Sequence, residues 1–149
     1  MAPICSIAVL NGPNLNMLGM REPDIYGHAT LADIEAEYRR LANEKRLEID
    51  WYHSNVEGEL INKIQSLAGS VDWIVINAAG LTHTSVALRD ALSLFPGGVI
   101  EVHLSNIHAR ETFRHTSLIS AISKGVIAGF GASSYYMAID AISHLHLET

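Results

Sequence analysis

The chain has 149 residues, 48% of them hydrophobic, and a formal charge of -6; it is long enough for a single domain over 1–149, and with no basic run it is not expected to bind nucleic acid. Cys5 is the sole cysteine, which excludes an internal disulfide or a cysteine-built metal site and suits the reducing cytoplasm. No stretch approaches the ~18 apolar residues of a membrane span, Asn11 interrupts the first apolar run too early for a signal sequence, and the high apolar share points to surface buried between subunits.

An apolar strand is expected at Ile4–Leu10. It runs into Asn11-Gly12-Pro13-Asn14-Leu15-Asn16-Met17-Leu18-Gly19, rich in turn formers but matching neither phosphate-loop spacing. The connection continues to His28, roughly 18 residues in all. Such length is unusual for a βα loop and typical of an active-site lid, here carrying Arg21 and Tyr26. A helix follows over Leu31–Arg46: Leu31, Ile34, Tyr38 and Leu41 keep helical spacing behind Thr30 as N-cap.

Next come a strand at Glu48–His53, a helix over Glu59–Ala68 and a strand at Trp73–Asn77. Asn77-Ala78-Ala79-Gly80-Leu81-Thr82-His83-Thr84 leads to a helix over Ser85–Phe95, capped by Thr84 or Ser85. A fourth strand, Gly98–His103, precedes a looser helical stretch from Arg110 to Lys124. A fifth strand, Gly125–Phe130, and a helix over Ser134–Leu145 close the chain. Strands apolar on consecutive residues are covered on both faces, so the expected fold is α/β: a flavodoxin-like, five-stranded parallel sheet with helices on both faces.

Ligands of such sheets bind outside the carboxyl ends of the strands. The polar groups there are Asn11 to Asn14, His53-Ser54-Asn55, Asn77, and Glu101, His103 and Ser105. Alternation puts Glu101 and His103 on one face. A carboxylate beside an imidazole orients the ring and favours its protonated form, which suits a general acid. Arg114 has the planar fork of a carboxylate or phosphate clamp, and His83 and Asn77 are donors near a helix start. A loop tyrosine is ordinarily a packing residue; Tyr26 as a base requires nearby positive charge, and Arg21 is the candidate. No lysine falls at a strand end, Cys5 lies within a strand, and the histidines match no metal motif. Noncovalent acid–base chemistry on a small polar anion remains.

Several ordered segments resemble type II 3-dehydroquinate dehydratase. They are Leu10-Asn11-Gly12-Pro13-Asn14-Leu15-Asn16, Arg21-Glu22-Pro23 with Tyr26-Gly27, and Thr82-His83-Thr84-Ser85 with Arg89-Asp90-Ala91-Leu92. Glu101-Val102-His103-Leu104-Ser105-Asn106, and Arg110-Glu111 leading to Phe113-Arg114-His115, complete the set. The resemblance implies reversible anti elimination of water from 3-dehydroquinate to 3-dehydroshikimate through an enolate, in the shikimate pathway or quinate breakdown, with no cofactor and no metal. It makes Tyr26 the base, Arg21 the partner of its phenolate, His103 the acid and Glu101 its orienting group. Asn11 would place a water at the enolate oxygen. Asn77, His83, Arg114 and the Leu104–Ser105 backbone would hold substrate, and Asp90 would reach a neighbouring subunit in a homododecamer built as a tetramer of trimers.

The chain departs from the family in one loop, where a usual proline and an aromatic are replaced by Ala78 and Leu81. Loss of a proline predicts a more mobile loop and altered substrate affinity. Two other readings compete. A flavodoxin-like signalling module would want an acidic cluster after the first strand, where Asn11-Gly12-Pro13 stands. A metal-dependent hydrolase built on the histidines would lose activity to a chelator.

Overall fold

A computed structural model describes residues 3–20 and 22–147, without the side chains of Tyr26 and Leu147. Its strands are β1 (Cys5–Asn11), β2 (Leu47–His53), β3 (Trp73–Asn77), β4 (Gly98–His103) and β5 (Gly125–Ala128). They pair in parallel in the order β2-β1-β3-β4-β5, the flavodoxin-like arrangement expected. The helices are α1 (Pro23–Tyr26), α2 (Leu31–Glu44), α3 (Glu57–Leu67), α4 (Val86–Leu94) and α5 (Ser133–Leu147).

Strand alternation divides the core in two. Ile7 and Val9 of β1, Val75 of β3 and Val102 of β4 pack with Ile34 and Tyr38 of α2 and with Tyr135 and Ile139 of α5. Ala8, Leu10, Ile74, Ile76 and Val99 face the other way, onto Leu60 and Ile64 of α3 and Leu88 and Leu92 of α4. Both faces are therefore dry, which is why the strands carry apolar residues in unbroken runs.

Helix starts follow the expected chemistry. Thr30 accepts from the Asp33 amide at 3.1 Å while the Asp33 carboxylate accepts from the Thr30 amide at 3.0 Å, a capping box. The Ser85 hydroxyl accepts from the Leu88 amide at 2.9 Å and starts α4.

The expected helix over Arg110–Lys124 is absent. Three 3-10 turns occupy Ile107–Ala109, Thr112–Arg114 and Ser120–Ile122. The Ser117 hydroxyl accepts from the amides of Ile119 and Ser120, and the Leu118 amide donates to Thr82 across the loop. These bonds take the backbone groups that a continuous helix would use. Strand β5 also stops at Ala128 rather than Phe130, because Gly129 turns to φ +97°.

Sheet order reverses at β1 and β3, where the active crevice of such folds opens. There the β1 and β3 loops touch: the Gly12 amide donates to Asn77 at 2.8 Å, and a Cβ at Gly12 would lie 2.6 Å from the Ala78 carbonyl oxygen. Ala78 itself is fully buried at φ −77°, close to the angle proline would impose. Gly12→Ala must separate the two loops, and a cost of about 1–3 kcal/mol is expected. A denaturant titration reads it; an unchanged midpoint would contradict the contact.

Candidate active site

A cleft opens at the carboxyl ends of β1, β3 and β4. One wall is the β1 loop, with Pro13, Asn14, Leu15, Met17 and Leu18. The others are Asn77, Ala79, Gly80 and His83 after β3, and His103, Leu104, Ser105, Ile107, Arg110 and Arg114 at and after the end of β4. Of the expected site residues, the fold thus brings together Asn77, His83, His103, Leu104, Ser105 and Arg114. Lys45, Lys63 and Lys124 are not among the lining side chains.

Glu101 and His103 lie on the same side of β4, facing the layer of α3 and α4, and both are buried. Oε2 of Glu101 accepts from Nε2 of His103. Its other oxygen accepts from Ser120 at 2.5 Å and from Ser117 at 3.1 Å. Burial pushes the Glu101 carboxyl up, but the hydrogen bonds from His103 and Ser120, the charge of His103 and the bond from Ser117 outweigh it. Glu101 therefore sits below the ordinary carboxylate range, an anion beside the imidazole.

His83 stacks near His103, ring centroids 6.4 Å apart. Its Nδ1 lies 2.9 Å from the Thr116 carbonyl, which can only accept, so Nδ1 carries the hydrogen and Nε2 is the acceptor. Burial lowers the His83 pKa, partly opposed by that hydrogen bond, while the charges of His103 and Arg114 push it further down. A neutral His83 presents a lone pair at Nε2 rather than a charge.

Arg114 stands on the cleft wall with its Nε donating to Glu111 at 3.0 Å. Arg110 stands beside it, its Nη1 donating to the Ser105 hydroxyl at 3.4 Å. Two guanidinium groups on one side of the cleft suit a carboxylate ligand.

Asn11 is elsewhere. It is 0% exposed, points into the layer of α2 and α5, and does not line the cleft. Its Nδ2 donates to the Tyr52 carbonyl at 3.0 Å and its Oδ1 accepts from the Tyr135 hydroxyl at 2.8 Å. The same hydroxyl accepts from Nδ2 of Asn77 at 3.0 Å. Burial pushes the Tyr135 phenol up, so it keeps the proton it gives Asn11. The asparagine on the cleft wall is Asn14, left-handed at φ 71° and held by its amide donating to Asn55 Oδ1 at 2.8 Å. Removing the phenol oxygen in Tyr135→Phe leaves Asn11 without a donor and Asn77 without an acceptor. A loss of about 1–3 kcal/mol is expected in unfolding, with a raised KM as Asn77 loosens. Wild-type values of both would contradict the bridge.

Asp90 is exposed on α4 and stands apart from the cleft. Arg21 lies outside the described residues, and Tyr26 is described only as backbone at the end of α1. Cys5 is buried within β1, and burial, with the charge of Asp72, raises its thiol to about 11, which makes it inert as a nucleophile. Among the described residues no group of three or more His, Cys, Asp or Glu is placed to hold a metal ion, and no helix is long and apolar enough to cross a membrane. Sequence reading missed Tyr135, Ser117 and Ser120, and it placed Asn14 among the polar groups after the first strand without giving it a role. Only Asn14 had a local signal: alternation along β1 sends Asn11 to the Val9 face, leaving the next asparagine for the loop.

A buried carboxylate–imidazole pair, a second imidazole and an arginine wall at the switch point of a flavodoxin-like sheet are the parts of an α/β enzyme and suit a small polar anion. The family model described as dehydroquinase class II matches residues 5–143. A 3-dehydroquinate dehydratase of Synechococcus sp. (strain WH7803) is 52% identical over 140 residues, 93% of this chain and 95% of that one. One from Brucella canis is 52% identical, covering 96% of this chain and 91% of its own. The crystal structure of type II dehydroquinase from Propionibacterium acnes superposes with TM-score 0.92 at 39% identity, covering 97% of this chain and 99% of that one. The chain belongs to the class II dehydroquinase family.

Proposed function

We infer that this chain works as a type II 3-dehydroquinate dehydratase, a hydro-lyase that forms 3-dehydroshikimate in the shikimate pathway, and we propose the following division of labour. Tyr26, with Arg21 beside it on the lid, takes the C2 proton as a phenolate base. Charge then moves to the carbonyl oxygen as an enolate, where Asn14 places a water; Asn14 takes this role from Asn11, whose amide is spent inside the protein. His103, aimed by Glu101, protonates the departing hydroxyl. Asn77, His83 and the Leu104–Ser105 backbone hold the substrate hydroxyls and carboxylate, and Arg114 clamps the carboxylate.

The observation that carries this reading is the buried Glu101–His103 pair opening on the cleft, in a chain of this family. One catalytic domain, a cytoplasmic location and a homododecamer of four trimers complete the proposal, with Asp90 serving a neighbour's site. Exposed apolar side chains support assembly: Leu94 is 78% exposed and Phe113 64%. The chemistry is tested with 3-dehydroquinate deuterated at one or the other C2 position. Deuterium anti to the leaving hydroxyl should be lost from the product and its geminal partner kept. Loss of the syn label would contradict the mechanism.

A further inference from the structure

We propose that Ser117 and Ser120 are positioning residues that determine which nitrogen of His103 carries its proton. The inference rests on the reading of His103 as proton donor and extends it to residues that touch no substrate.

Glu101 has no access to water, so its charge depends on donors from the protein. Ser117 cannot act otherwise than as a donor: its oxygen already accepts the amides of Ile119 at 3.2 Å and Ser120 at 3.1 Å. Its one proton goes to Oε1 of Glu101, 3.1 Å away. Ser120 reaches the same oxygen at 2.5 Å. With Oε1 occupied by two hydroxyl protons, the only remaining position for a proton on the carboxylate is Oε2, facing Nε2 of His103. A carboxylate filled in this way is an acceptor there, so Nε2 keeps the hydrogen and Nδ1 is the nitrogen left for the cleft. Donation to a leaving hydroxyl then runs through Nδ1 of the imidazolium: a second proton taken up on Nδ1 passes to the hydroxyl, and the neutral Nε2–H ring is what remains.

The loop that carries the serines is itself anchored. The Leu118 amide donates to Thr82 at 2.8 Å, and Arg89 of α4 donates to the Leu118 carbonyl at 2.9 Å. The adjacent Thr116 carbonyl fixes His83 with hydrogen on Nδ1. One loop thus sets both imidazoles, in opposite tautomers. Without the serine donors, Glu101 would keep a proton of its own on Oε2 and donate a hydrogen bond from it to a bare Nε2, leaving His103 a neutral ring with its hydrogen on Nδ1. A neutral carboxyl no longer balances an imidazolium, and the neutral ring is the weaker acid.

The test uses full-length protein labelled with 15N-histidine, with the His103 signals assigned by their loss in His103→Gln. Wild type should show the Nε2–H tautomer. In Ser117→Ala/Ser120→Ala the Nδ1–H form should appear, kcat should fall by about tenfold or more, and KM should stay within about twofold, as a proton-transfer defect requires. Ser120→Thr, which keeps the hydroxyl, should restore both. A folded double variant with wild-type His103 signals and kcat would overturn the proposal, as would equal losses in kcat and affinity. If the double variant does not fold, Ser120→Ala alone carries the same expectations. Absence of turnover in wild type would sink the assigned reaction, while the NMR signals would still decide the tautomer.

Discussion

Replacing His103 with alanine is expected to lower kcat by about 100- to 10,000-fold, the range spanned by general acid–base catalysis. The imidazole lines the cleft, and its Nε2 is tied to a carboxylate with no solvent access. Water entering the space the ring leaves cannot replace it, because water is a much weaker acid than an imidazolium held beside a carboxylate. KM should change far less, since Asn77, His83 and Arg114 still line the cleft. Steady-state kinetics read both constants. Turnover within tenfold of wild type would remove His103 as the acid. Circular dichroism checks that the variant is folded, because Glu101 keeps its two serine donors.

Tyr26→Phe is expected to have an effect of the same order. It deletes one oxygen and leaves the ring. A phenol is a poor base at neutral pH, its reference pKa being about 10, so the lid must bring positive charge to it. Arg21, five positions earlier in the same connection, is the proposed source. If the phenolate takes the C2 proton, Tyr26→Phe should bind substrate and fail to exchange that proton with solvent. Single-turnover mixing and exchange measured by NMR distinguish this from a lid that merely closes badly. Retained exchange would remove the proposed base.

Much of the fold could be read from pattern. Consecutive apolar residues in Trp73-Ile74-Val75-Ile76 signalled a strand covered on both sides, and Ile74 and Val75 do go to opposite cores. Thr30 and Ser85 marked helix starts because a cap is a local event. The failure at Arg110–Lys124 has a local cause and a distant one. Ser117 folds its own backbone into a turn, and Thr82 and Glu101 recruit the rest.

The site divides along the same line. Glu101 and His103 are two residues apart, so strand alternation alone pairs them. Ser120 lies 19 positions from Glu101, and Tyr135 lies 124 from Asn11. No periodicity reports on such contacts; they exist only once the sheet order is fixed. Asn11 shows the limit from the other side. It stood in the right segment and at the right end of the sheet, but its face of β1 points to Tyr135.

Whether this cleft dehydrates 3-dehydroquinate is read by ultraviolet absorbance in one cuvette. Mixed with 3-dehydroquinate, the protein should generate the absorbance of a conjugated enone at a rate proportional to enzyme concentration. Absorbance that stays at the rate of substrate alone would contradict the account.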